Sequence, residues 1–278
     1  MKLARLLLLG LCLPALACAE CRMQRFAEWP VRVEDGRLVA DALINGRKVA
    51  VMLHTGMPHS LMPRASVDAL GVPLRQNLDA RGATVATWLA YVDQVKIGDA
   101  THKDWRMLVF PLPEYAGRVA AVIGYDALRQ ADVEFDLANH TVRLFRTQGC
   151  GADANLAYWD RKGVEAVALG GADDGIALDV RLNGKQMPAE INTGFARSAV
   201  DRAVGGVESF GLGSERVTKP AMQSVDLPDG YRAGAFVLKR ELKSVQLGLD
   251  FLRAHRVLVA HSQGRIYFSY LGTPVFAP

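Results

Sequence analysis

RLVADALINGRKVAVMLHTG, residues 37–56, and GIALDVRLNGKQMPAEINTG, residues 175–194, are the two stretches that decide the fold of this chain. Each alternates apolar with polar residues, turns on an Asn-Gly pair (Asn45-Gly46 or Asn183-Gly184), and resumes as an apolar run that ends in Thr-Gly. Alternation is the strand period, and Asn-Gly between two such runs is the strongest short hairpin signal. A second pair of stretches recurs downstream, VIGYDALRQADVEFDLANHTVRLF at 122–145 and QLGLDFLRAHRVLVAHSQGRIYF at 246–268. In it Gly124, Asp126, Leu128, Arg129 and Val133 return as Gly248, Asp250, Leu252, Arg253 and Val257. Self-similarity on this scale predicts two lobes of one plan, residues 20–147 and 158–278, with a linker at 148–157.

Around these repeats the local signals are those of short strands. Asp35-Gly36 and Asp174-Gly175 mark an earlier turn in each lobe, and residues 137–141 and 261–265 bridge a last hairpin in each. Helix is expected only at 63–70 and in the turns YDALRQA and LDFLRAH, because longer windows lack a 3.6-residue period. The fold class is therefore all-β, and evenly spaced short strands favour closed or nearly closed β-barrels. Residues 207–236, rich in Gly and polar side chains, read as a long mobile loop.

The chain has 278 residues, half of them hydrophobic, and 33 Lys and Arg stand against 29 Asp and Glu with no basic run. It is thus expected to be globular, with neither a nucleic-acid footprint nor an integral membrane span. Lys2 and Arg5, the apolar run at 6–13 and Ala17-Cys18-Ala19 form a secretory signal at 1–19 with cleavage after Ala19. Export to the periplasm or medium follows; lipidation at Cys18 is the alternative, weakly matched by Ala15-Leu16-Ala17-Cys18. Cys12 and Cys18 fall inside the signal, so Cys21 and Cys150 remain as an even pair in an oxidising compartment and are expected to form a disulfide.

An apolar strand ending in x-T-G, followed later by an apolar strand, Gly, a short helix and a terminal hairpin, resembles the retropepsin-like aspartic proteases. Its occurrence twice in one chain resembles the two-lobed, pepsin-like members. VMLHTGMPHSLM and AEINTGFARSAV stand at the catalytic loops and VIGYDAL and QLGLDFL at the helix entries. The resemblance implies two pseudo-symmetric barrel lobes with a cleft between them and an aspartic-type endopeptidase site. It also implies that Thr55 and Thr193 brace each other's loop through their hydroxyls, that Gly56 and Gly194 permit the tight backbone that follows, and that a flap covers the cleft. The stretch Thr84 to Asp99 is the flap candidate of the first lobe, with Trp88 and Tyr91 either contacting a bound chain or serving as core aromatics. Asp126 and Asp250 are placed at helix entries, where a carboxylate takes backbone N–H groups.

At the decisive positions the pattern departs. Where the family has Asp-Thr-Gly, this chain has His54-Thr55-Gly56 and Asn192-Thr193-Gly194. The family's chemistry needs two carboxyl groups sharing one proton, so that one is base and the other acid toward an attacking water. Asn192 cannot ionise, and losing one acid or base typically costs ~100 to 10,000-fold in rate. Met57 and Phe195 also stand where the family keeps a small residue; they either crowd the cleft floor or point into their own lobes.

His54, His59 and His102 lack the Cys or carboxylate spacing of a metal site, so neither metal nor other cofactor is implied. Ser60 and Ser198 hydrogen-bond their loops, and His140, His261 and Asp136 are expected at the surface. The reading is an exported pseudoprotease that binds an extended peptide or protein segment in the cleft, monomeric because both lobes share one chain. The alternatives are a peptidase of altered mechanism using His54 and Asn192, and a structural envelope module, which a solvent-inaccessible His54 would favour.

Overall fold

A computed structural model describes residues 20–76, 87–115, 117–160, 163–171, 175–227, 230–233, 236–239 and 242–276. The signal segment at 1–19, Asp174 and the stretch 84–86 of the flap candidate lie outside the described residues. The chain is all-β with two lobes. In the first, strands Arg37–Ile44, Arg47–Leu53, Ala121–Ile123, Leu61–Pro63, Ala100–Phe110 and Trp88–Ile97 follow one another round a barrel. It closes where Ala42, Leu43 and Ile44 pair with Ile97, Lys96 and Val95. In the second, Glu215–Thr218, Ser209–Leu212, Ile176–Leu182, Lys185–Ile191, Val245–Leu247, Ala199–Asp201 and Gln223–Val225 form a half-barrel in that order.

The hairpin turns are where the sequence puts them. Asn45 and Gly46 have φ of 49° and 80°, and Asn183 and Gly184 have 51° and 78°. Two successive positive φ values define the turn that matches strand twist, and Asn followed by Gly tolerates both. Short helices occur at Arg64–Leu70, Tyr125–Leu128 and Leu249–Ala254, as expected. Residues 207–236 differ from the loop reading: Ser209–Leu212 and Glu215–Thr218 form a hairpin turning at Gly213, and its first strand pairs with Arg181 and Leu182. Glu215–Thr218 lies on the surface and is only half-buried on alternate residues, so its composition is polar even though it is strand.

One antiparallel sheet joins the lobes, in the order Glu165–Ala168, Arg265–Tyr270, His255–Ala260, Asp132–Asp136, Thr141–Gln148 and Arg22–Glu34. The crossing is made by Val257, Leu258 and Val259 opposite Phe135, Glu134 and Val133. Alternation gives this sheet two unlike faces. Val133, Phe135, Val257 and Val259 join the main core. On the other face Arg143 donates to Glu134 at 2.6 Å, Asp136 at 3.0 Å and Glu28 at 2.8 Å, while Arg256 donates to Glu134 at 3.0 Å. Burial works against the charge on Arg143, and the bonds to Glu28, Asp136 and Glu134 outweigh it, holding its pKa above the ordinary value. Asp136, expected at the surface, is 1% exposed because this network covers it.

The linker is part of the packing. Leu156 and Ala157 are buried with Phe145, Leu258, Ala260 and Tyr267, and Trp159 Nε1 donates to Ser269 Oγ at 2.9 Å. Cys21 and Cys150 are disulfide-bonded, with Cα atoms 4.2 Å apart, next to the Arg22–Gln148 register pair that begins the pairing of their strands. The bridge spans 129 residues. Loop-closure entropy for a ring of that size gives about 4 to 5 kcal/mol, and replacing both cysteines by Ser is expected to approach that loss in urea unfolding. A loss under ~1 kcal/mol would show that strand pairing alone already fixes these ends.

Candidate active site

The centre of the molecule is where the two Thr-Gly loops meet. Each loop leaves an apolar strand, Arg47–Leu53 or Lys185–Ile191, that pairs in parallel with the strand before a helix, Ala121–Ile123 or Val245–Leu247. His54 N–H donates to Ile123 O at 2.9 Å and Asn192 N–H to Leu247 O at 2.9 Å, so the backbone of both residues is fixed by its own lobe.

The lobes then lock through threonine. Thr55 Oγ1 donates to Ile191 O at 2.7 Å and accepts the Thr193 N–H at 3.0 Å. Thr193 Oγ1 returns the pattern, donating to Leu53 O at 2.7 Å and accepting the Thr55 N–H at 3.0 Å. Both threonines are fully buried, so four backbone groups that water cannot reach are satisfied across the interface.

His54 and Asn192 face one another over this lock. A Cβ added to Gly194 would stand 2.4 Å from His54 Nε2 and 3.0 Å from Asn192 Oδ1, so both side chains converge on one spot. A Cβ on Gly56 would stand 2.2 Å from Asn192 Oδ1. Glycine is needed at both positions because the opposite lobe's side chain fills the space. His54 is 3% exposed and Asn192 is fully buried.

The amide of Asn192 is committed inward. Its Oδ1 accepts the Gly194 N–H at 3.0 Å, and its Nδ2 donates to Glu190 Oε1 at 2.9 Å and to Gln246 Oε1 at 2.8 Å. Both Nδ2 hydrogens are therefore used. Gln246 is oriented in turn, its Nε2 donating to Lys243 O at 2.7 Å. Glu190 and Gln246 are buried and adjacent in register on paired strands. Sequence reasoning passed over both. The available signal was a Glu between Ala189 and Ile191 in an otherwise apolar run, where the first lobe has Met52.

The remaining candidates sort by environment. Met57 is buried in a first-lobe cluster with Val39, Met52, Leu61, Phe110 and Val122. Phe195 is only half-buried, between exposed Gly194 and Ala196. Ser60 donates to Asp126 at 2.7 Å and accepts the Gly124 N–H at 2.9 Å; Ser198 does the same with Asp250 at 2.6 Å and Gly248 at 2.9 Å. The two aspartates tie the loops to the helix entries and lie outside the Asn192 cluster. Trp88 opens the strand Trp88–Ile97 opposite Val109, at the end where Leu61–Pro63 leaves the first loop, and is 39% exposed. Tyr91 lies farther along, its ring under the guanidinium groups of Arg75 and Arg106 at 4.8 Å and 5.6 Å from its centroid.

The histidines do not gather. His59 is exposed, and His102 packs against Trp105 with ring centroids 4.5 Å apart and planes tilted by 51°. His261, expected in solvent, sits at the lobe junction with Nδ1 at 2.7 Å from Ala131 O and Nε2 at 3.2 Å from Tyr125 Oη. Burial pushes its pKa below the ordinary value, against the opposing effect of the Ala131 bond.

Residues 40–127 match the family model of the aspartyl proteases. The match runs from the first hairpin through His54-Thr55-Gly56 to the helix after Gly124 and supports an aspartyl-protease-like fold. No curated protein matches the chain.

Proposed function

We propose that this chain is an exported, monomeric pseudoprotease: a protein of aspartyl-protease-like fold that binds an extended peptide or protein segment between its lobes without cleaving it. One observation carries the loss of catalysis. The seat of the second acid holds an amide whose two N–H groups are spent on Glu190 and Gln246, so it can neither exchange a proton nor donate to a water or an oxyanion. The same commitment removes the N–H groups with which Asn192 would hold an oxyanion opposite His54 in a peptidase of altered mechanism.

Binding rests on accessible residues of the second Thr-Gly loop and of a first-lobe strand. Gly194 and Ala196 are exposed, Phe195 is half-buried and Trp88 offers an accessible aromatic face, while the threonine lock keeps both lobes in place. An extended segment can add backbone hydrogen bonds to strand edges with no acid or base involved. The Cys21–Cys150 bridge fits an oxidising compartment, and no helix among the described residues is long and apolar enough to cross a membrane.

The near-complete burial of His54 favours a second reading, a structural module with an occluded cleft. A peptide array followed by calorimetry separates the two. Saturable binding weakened at least about 5-fold by Trp88→Ala is the expected result, together with no cleavage of the bound peptides at acid or neutral pH. Absence of any saturable ligand would select the structural module, and turnover abolished by His54→Ala would select the altered peptidase.

A further inference from the structure

We propose that Glu190 and Gln246 are positioning residues that hold the 192 seat as an amide and bar an aspartate from it. The inference deepens the reading of the site as inactive and rests on it for its meaning, although its test does not depend on activity. Two acceptor oxygens, Glu190 Oε1 and Gln246 Oε1, lie 2.9 Å and 2.8 Å from the one nitrogen of Asn192. That arrangement suits an –NH2 group and no carboxylate oxygen. With Asp at 192, three oxygens would face one another in a buried cluster, one of them on a second carboxylate.

Neither neighbour can turn to relieve this at no cost. Flipping the Gln246 amide would aim its N–H at the seat and would give up the 2.7 Å bond from its Nε2 to Lys243 O. Glu190 is 1% exposed, so turning its carboxylate away from the seat would require repacking its buried surroundings. Among the described residues the first lobe shows no such cluster: behind His54 the equivalent strands carry Met52 and Val122, which pack in an apolar group. The second lobe's seat is therefore rebuilt in two layers, the replaced aspartate and the acceptors behind it.

Thermal unfolding of the full exported chain tests this by a mutant cycle across pH. Asn192→Asp is expected to lower Tm by about 5 to 10 °C near pH 8, where the second carboxyl group must either stay charged beside the first or take up a proton inside the buried cluster. The loss should shrink at about pH 4, where a proton lets one carboxyl donate to the other. Adding Glu190→Gln supplies an N–H donor and is expected to recover most of the loss at the higher pH. A merely structural site would show neither the pH dependence nor the rescue. Asn192→Asp as stable as the parent near pH 8, or equally destabilised with and without Glu190→Gln, would overturn the proposal. Cleavage by the unaltered protein would instead overturn the reading of inactivity and leave this cycle unaffected.

Discussion

Thr55→Val is expected to lower the unfolding free energy by about 3 to 5 kcal/mol. Val keeps the volume and removes the hydroxyl, so packing is not the cause. The Thr193 N–H and the Ile191 carbonyl each lose their partner in a fully buried place, and an unpaired buried group costs ~1 to 3 kcal/mol. Thr193→Val should cost as much, through Thr55 N–H and Leu53 O. The double variant should fall short of the sum, since the four bonds form one reciprocal unit. Thr55→Ser restores donor and acceptor and should recover most of the loss. Urea unfolding of the four variants measures this, and a Thr55→Val protein within ~1 kcal/mol of the parent would show that water reaches the lock.

Arg143→Met is expected to be comparably severe, about 3 to 5 kcal/mol, for an electrostatic reason. Glu134 is fully buried and Asp136 nearly so, and both rely on the Arg143 guanidinium. Removing it strands two carboxylates inside the sheet that joins the lobes. Arg256 stays within 3.0 Å of Glu134 and 3.7 Å of Asp136, so part of the charge remains balanced. The converse variant, Arg256→Met, should therefore cost less, because Arg143 keeps the shorter bonds to both acids. The pH dependence has a definite sign. Unpaired buried carboxylates take up protons more readily in the folded than in the unfolded state, so the deficit of Arg143→Met should be largest near neutrality and diminish as pH falls through the carboxylate range. A deficit that grew on acidification would mean that the arginine's packing, not its charge, holds the sheet.

Both effects sit on surfaces that bind one lobe to the other, and this has a bearing on function. The lock beneath His54 and Asn192 is complete, and the sheet that joins the lobes carries a buried ionic network with the linker packed across it. A fixed relation between lobes serves a binding cleft or a rigid module as well as it would serve hydrolysis.

The sequence by itself determined most of the strands and turns and the absence of aspartate before both Thr-Gly pairs. Alternating runs on either side of Asn45-Gly46 and Asn183-Gly184 leave little choice but hairpins, because strand period and positive φ are local properties of those residues. His54 and Asn192 stand before Thr-Gly where the resembled pattern carries aspartate. Only the tertiary structure decided which polar side chains are buried and against what. Asp136 reads as a surface residue until Arg143 and the adjoining lobe cover it, and Glu190 looks anomalous in its strand until Gln246 is brought alongside from 54 residues downstream of Asn192. Met57 and Phe195 occupy equivalent sequence positions, yet one is buried among Val39, Met52 and Leu61 and the other is half-buried between exposed Gly194 and Ala196. Such partners are chosen by strand order and by the meeting of two lobes, and no short-range pattern along the chain records either.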